Sequence, residues 1–343
     1  MATVGNNNPT LMDFTRREDS DHKIAQIIEL LNETNEIIQD MVVVECNDGT
    51  SHITTIRTGL PAVAFRMLNY GVQPSKSTTR KVSDTTGMLE AYAEVDKALA
   101  DLNNNTAEFR LSEDRAFLEA MSQEMAETLF YGDTSVNSEK FLGLMYRFNE
   151  SSTDKDTAGY QVIEAGTAAG TDPNTNTSIW IVVWGKNTVH GIYPKGSTMG
   201  FSHKDLGEQT LTDDDGGYYQ GYRAHYKWDL GLSVRDYRYV VRICNLDLTQ
   251  MTDAGEDGYN GPAILQLLIK GIHRIHNMRA GKAVIYMNDE VLTLLDLIAN
   301  YDSRLALRSV EDVDGKPMLK FRGIPIRRVD QIINTEEEVT AAS

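Results

Sequence analysis

Between residues 50 and 100 the chain is rich in Thr and Ser, with strand-like stretches at His52–Arg57 and Ser77–Val82. Gly59-Leu60-Pro61 and Gly71-Val72-Gln73-Pro74 punctuate it. Such a segment offers little apolar surface to bury, which predicts a long two-stranded excursion rather than part of a compact core. An isolated two-stranded ribbon is only marginally stable in water. The excursion therefore needs support from a partner. Lys76, Arg80 and Lys81 lie within it and form one of the few basic clusters of the chain, which makes them candidate inter-subunit contacts.

Those cations stand out because the rest is acidic. The 343 residues carry 33 Lys and Arg against 50 Asp and Glu, a net charge of −17. That balance argues against the whole chain gripping nucleic acid, since affinity for phosphate comes mainly from Lys and Arg. A hydrophobic content of 41% supports a proper core, and the length suits about two domains or one elaborate one. The longest apolar runs, Ile179–Trp184 and Ala283–Met287, fall far short of the roughly 20 residues that span a bilayer, so no membrane helix is expected. Met1–Asp21 is polar, with no apolar core of a secretory signal. Cys46 and Cys244 are too distant in sequence to suggest a disulfide or metal framework.

Periodicity supplies the remaining elements. After a polar arm, Ile24, Ile27, Ile28, Leu31, Ile38 and Met41 keep a helical stripe that must be covered, by the chain's own core or by a neighbouring subunit. A second helix is expected over Ser112–Tyr131, with Ser112 as N-cap, Glu113 and Asp114 in its first turn, and Phe117, Met121, Met125 and Leu129 recurring every four residues. At 1.5 Å per residue it would be a rod of about 30 Å. Ile179–Trp184 has the continuous apolar, β-branched content of a buried strand, with Val189–Tyr193 as its expected partner. Gly231–Asn245 is expected as one further strand. Helix Pro262–Met278, strand Ala283–Met287, helix Asn288–Asn300 and a ribbon of Met318–Phe321 with Ile324–Val329 follow, before an acidic tail expected to fray.

Catalytic signatures are missing. Gly281-Lys282-Ala283 lacks the spacing of a phosphate-binding loop, and no GxGxxG, GxSxG or HExxH occurs. Asp213-Asp214-Asp215-Gly216 fails the EF-hand register, because Leu211 and Tyr222 fall on ligand positions. His273 and His276 are spaced to share a helix face but lack a third ligand. Trp180, Trp184 and Trp228 suit a core, and Tyr218, Tyr219, Tyr222 and Tyr226 suit the cover of a sheet face more than a ligand platform. No catalytic, cofactor-binding or metal residue is assigned.

Five stretches carry a specific resemblance: Thr58–Thr79, Phe109–Leu144, Ser178–Ser197, Gly231–Asp247 and Phe321–Val329. With them the chain resembles the major capsid proteins of tailed bacteriophages of the Hong Kong 97-type fold, in the short-tailed group. The resemblance implies an α+β fold with a long spine helix, an axial α/β domain, an extended β-loop and an N-terminal arm, here in a non-standard segment order. The expected division is residues 1–49 for the arm and its amphipathic helix, and 50–104 for the extended loop. Residues 105–150 and 205–250 would form the peripheral domain with spine helix 112–131. Residues 151–204 and 251–335 would form the axial domain, and 336–343 the tail. It further implies self-assembly into hexamers and pentamers of an icosahedral shell enclosing double-stranded DNA without sequence-specific binding. Scaffolding, portal and decoration or cement proteins are the other candidate partners, no cofactor or membrane is implied, and assembly would take place in the host cytoplasm. A soluble enzyme, a hydrolase with an unrecognised site, is the competing expectation.

Overall fold

The computed structural model describes residues 35–102, 106–165, 176–213, 215–248, 261–301, 307–311 and 317–340. In chain order these contain α1 (Ile37–Asp40), β1 (Val43–Glu45), β2 (Ser51–Gly59), β3 (Thr78–Asp96), α2 (Lys97–Ala100), α3 (Thr106–Tyr131) and β4 (Val162–Glu164). There follow β5 (Asn176–Trp184), β6 (Val189–Tyr193), β7 (Phe201–Thr212), β8 (Tyr218–Val234) and β9 (Val240–Asp247). The last elements are α4 (Gly261–Arg274), β10 (Lys282–Met287), α5 (Asp289–Tyr301), β11 (Leu307–Glu311), β12 (Pro317–Phe321) and β13 (Ile324–Arg328). The arm and most of the helix expected before Met41 lie outside the described residues.

Two compact units result. The first takes Met88–Ala126 and Thr198–Asp229. Here α3 lies on strands: Ala93, Met121, Ala224 and Tyr226 form one buried cluster, with Phe117 and Trp228 packed against it. Val95, Leu99, Ala100 and Phe109 form another. Phe109 is fully buried, and Arg110 pairs with Asp205 at 2.7 Å. These contacts extend α3 one and a half turns before Ser112, to Thr106, so Ser112 is an interior residue and not a cap. Of the tyrosines of β8, Tyr222 and Tyr226 are engaged in packing, while Tyr218 is exposed. Tyr226 stacks on Phe117 with centroids 5.6 Å apart, and Arg110 lies over the Tyr222 ring at 5.0 Å.

The second unit takes Asn35–Gly87, Glu127–Ser197 and the chain from Leu230 onward. Its centre is β5, whose nine residues are all buried. Ile181 pairs with Ile285 of β10 on one side and Val241 of β9 on the other, both antiparallel. β13 runs parallel to β10, β12 and then β11 extend that edge, and β4 lies parallel to β9. One face of β5 meets α4, where Gly271 allows close approach; a Cβ there would come within 2.8 Å of Ile181 Cδ1. On the other face Trp180 packs against Phe130, at the end of α3, and Phe148.

Three expectations give way here. β6 is not a hairpin partner of β5, since only Trp184 and Val189 pair, in parallel. The turn is held by Thr188, whose hydroxyl donates to the Val183 carbonyl at 2.7 Å, and β6 leaves to pair with the end of β8, Val189 opposite Val234. Gly231–Asn245 is not one strand. The Asp236 carboxylate accepts from the Arg238 backbone N–H at 3.1 Å and its guanidinium at 2.7 Å, closing a 3-10 turn at Tyr237–Tyr239 between β8 and β9. The described part of the tail, to Thr340, does not fray. Glu336 is buried and pairs with Arg242 at 2.8 Å, while the Asn245 side chain donates to the Val339 carbonyl and accepts from its N–H. The acidity that suggested solvent exposure hides one carboxylate with a buried partner.

Candidate assembly interface

Strands β2 and β3 form the expected ribbon, paired from Ser51 opposite Thr85 to Gly59 opposite Thr78. Its base is pinned. Asp84, 4% exposed, accepts from the Arg147 guanidinium and the Ser233 hydroxyl, each at 2.7 Å. Arg147 also donates to the Leu142 and Leu232 carbonyls. Burying that carboxylate without such partners would cost several kcal/mol, so the sequence holds the base in one place. Gly231 is required by the same junction, because a Cβ there would lie 2.5 Å from the Thr85 carbonyl oxygen.

Beside it, His52 of β2 meets His190 of β6 edge-on, with ring centroids 5.4 Å apart. Both imidazoles are held below their usual pKa. Burial is the main cause at each, and it pushes His190 down to about 4, with help from His52 and Arg235. Neutral rings are what this junction accepts.

The far end of the ribbon is the opposite. Residues 60–77 form a loop closed by the Ser75 hydroxyl, which donates to the Ala62 carbonyl at 2.7 Å. On it Leu60 is 81% exposed, Val63 90%, Phe65 108% and Leu68 87%. The expectation of little apolar surface therefore fails for the tip, which carries a run of large side chains turned to solvent. Scattered apolar residues on a surface are ordinary, but a contiguous exposed group marks a contact site.

Lys76, Arg80 and Lys81 are exposed, and none pairs with a described carboxylate. Arg80 and Lys81 sit opposite Ile56 and Thr55, so as successive strand residues they point to opposite faces of the ribbon. They do not form one patch. Arg57, opposite Thr79, lies diagonally across from Lys81 on its face. Arg57 and Arg66 are further exposed cations that the sequence reading missed, although a local charge count reveals them. Residues 51–87 hold five cations, Arg57, Arg66, Lys76, Arg80 and Lys81, against the single carboxylate of Asp84, a net +4.

The other candidates resolve into structure. Asp213 accepts from the backbone N–H of Asp215 and Gly217, as in a tight turn. His276 meets Tyr239 edge-on at 6.5 Å. Cys46 and Cys244 are buried thiols, and burial pushes them up to about 11 and about 12.

The ribbon thus joins a pinned base to an exposed apolar and basic tip, and the comparisons identify the family. The family model of the major capsid protein GP7 matches residues 19–340. The chain belongs to that family. A chain of the cryo-EM structure of bacteriophage Epsilon15 is 38% identical to this capsid protein, with 99% of this chain and 100% of that one covered and a TM-score of 0.80. The capsid of bacteriophage JBD30 is similar at 8% identity, covering 88% of this chain and 92% of that one with a TM-score of 0.50, a likeness of fold alone. A search of curated proteins finds no match. The capsid protein thus has the α+β Hong Kong 97-type fold, and is a structural component of a tailed-phage virion that assembles with copies of itself.

Proposed function

We propose that the protein forms hexamers and pentamers that close an icosahedral shell around double-stranded DNA, and that the ribbon reaches onto an adjacent subunit. The observation that carries this reading is the contrast within one element, buried and ion-paired at Asp84, solvent-turned from Leu60 to Leu68. The role is geometric rather than catalytic. Covering Leu60, Val63, Phe65 and Leu68 at roughly 1.5–3 kcal/mol each would yield about 6–12 kcal/mol per contact before association costs. Lys76, Arg80 and Lys81, with Arg57 and Arg66, would meet acidic residues of the neighbour and fix its orientation more than its affinity. Scaffolding, portal and decoration proteins would act on these shells in the host cytoplasm.

Assembly tested by sedimentation and electron microscopy separates the two contributions. Phe65→Ser with Leu68→Ser should raise the protein concentration needed for shells by roughly two orders of magnitude, about 3 kcal/mol per contact. Lys76, Arg80 and Lys81 changed together to Glu should impair shells while leaving the subunit folded. Normal shells from both variants would refute the ribbon's role.

A further inference from the structure

Three turns of the second unit gather at one end of its central sheet. Trp184 pairs with Lys282, Val182 with Val240, and Val189 with Val234, which brings together segments 185–188, 235–239 and 276–281. Arg235 donates to Asn187 Oδ1 at 3.1 Å, and the His276 N–H donates to the Arg238 carbonyl at 3.4 Å. Lys186, Arg235, Arg238, His276 and Arg279 are all exposed on these turns. Only Arg238 meets a described carboxylate, that of Asp236 at 2.7 Å. Asp154 and Asp156 are nearby carboxylates, on the side of Tyr237.

The opposite end of the same sheet, where Asn176 pairs with Asp247, has the opposite sign. Glu164 closes β4, Glu337 and Glu338 follow the buried Glu336, and Glu150 precedes the backbone bond from Ser151 to Thr340. These four carboxylates, Glu150, Glu164, Glu337 and Glu338, are exposed and pair with no described cation.

We propose that the basic end of one subunit docks on the acidic end of the next copy of this chain. The inference rests on the shell reading above and names a second contact, independent of the ribbon. Copies of net charge −17 repel one another, so stable neighbours need unlike patches face to face. Charges in salt act over about 8–10 Å, which makes the local patches decisive. Because the patches lie at opposite ends of the sheet, each copy can offer its basic end to one neighbour and its acidic end to another; such head-to-tail contacts close into rings where the rotation between copies closes.

Charge reversal tests it. The set Lys186→Glu, Arg235→Glu and Arg279→Glu should abolish shells in conditions where the wild type forms them, as should Glu164→Lys, Glu337→Lys and Glu338→Lys. A chain carrying both sets should assemble again, which lost folding alone cannot produce; thermal melts of the unassembled subunits check that each set folds. The neutral set Lys186→Gln, Arg235→Gln and Arg279→Gln should raise the critical concentration at least tenfold and flatten its dependence on salt. Wild-type-like assembly of the first set overturns the proposal, as does failure of the doubly reversed chain when its subunits fold. Shells that form normally but hold less DNA also overturn it, by assigning the basic end to nucleic acid. If the wild type itself forms no shells, the shell reading fails first and this inference with it.

Discussion

Replacing Glu336 by Gln should cost the subunit about 3–5 kcal/mol of stability. The Glu336 side chain is 1% exposed and that of Arg242 0%. Around them, Tyr131 donates to Glu336 Oε1 at 2.6 Å, the Ser178 hydroxyl donates to Oε2, and Arg242 donates to the Phe148 carbonyl at 2.9 Å. Gln keeps the shape and the acceptor for Tyr131. It removes the charge and turns an amide N–H₂ toward a guanidinium that donates only. Breaking one partner of a buried pair typically costs 3–5 kcal/mol, because the other charge is left uncompensated. The pair Lys97–Glu208, about 40% exposed on both sides, is the control and should give no more than about 1 kcal/mol on Lys97→Ala. Urea unfolding of unassembled subunits reads both, followed by tryptophan fluorescence, since the Arg242 guanidinium lies 5.3 Å from the Trp180 ring. Glu336→Gln combined with Arg242→Met should recover at least half of the loss. A Glu336→Gln cost as small as the control, or a double variant as unstable as the worse single one, would refute the argument.

Two further outcomes follow from the ribbon's base. The folded pKa of His190 lies near 4, below the ordinary value of 6.5, so between those values the unfolded chain binds more protons. Stability from this group is then full above pH 6.5 and falls as the pH drops toward 4, by about 3 kcal/mol in all; His190→Leu should flatten that slope in urea midpoints, and an unchanged slope would exclude His190 as its source. Gly231→Ala places a methyl 2.5 Å from the Thr85 oxygen and 2.9 Å from Thr86 Cα, and should lower stability by roughly 1–3 kcal/mol through forced separation of the strands; melting unchanged by the substitution would show that the strands yield freely.

The elements most legible in the sequence are those whose pattern is local. β5, β6, β10 and α5 emerge within a few residues of their expected bounds, because continuous β-branched runs and capped helical periods mark themselves. What failed was set by partners far along the chain. Nothing near Val189 says that its strand will pair with Val234, and nothing near Glu336 says that Arg242 lies beneath it. The start of α3 was missed because Phe109 and Arg110 find their contacts on other strands. At the candidate interface the ribbon and three of its five cations, Lys76, Arg80 and Lys81, were read from composition. The opposed faces of Arg80 and Lys81 needed the register, and the exposure of Phe65 needed the fold.

The two kinds of surface on the ribbon answer a problem posed by the charge. With +4 on residues 51–87 and −17 overall, the remaining residues carry −17 − 4 = −21. A ribbon laid on another copy's body brings unlike signs together, whereas body against body brings like signs together except where the basic end of the sheet meets the acidic end, so charge would favour those two contacts over others. Selection of this kind weakens as salt rises, because screening shortens its reach to a few ångströms by about 1 M. Burial of Leu60, Val63, Phe65 and Leu68 has no such dependence, and salts excluded from protein surfaces strengthen it. Salt should therefore relax the accuracy of assembly sooner than its strength.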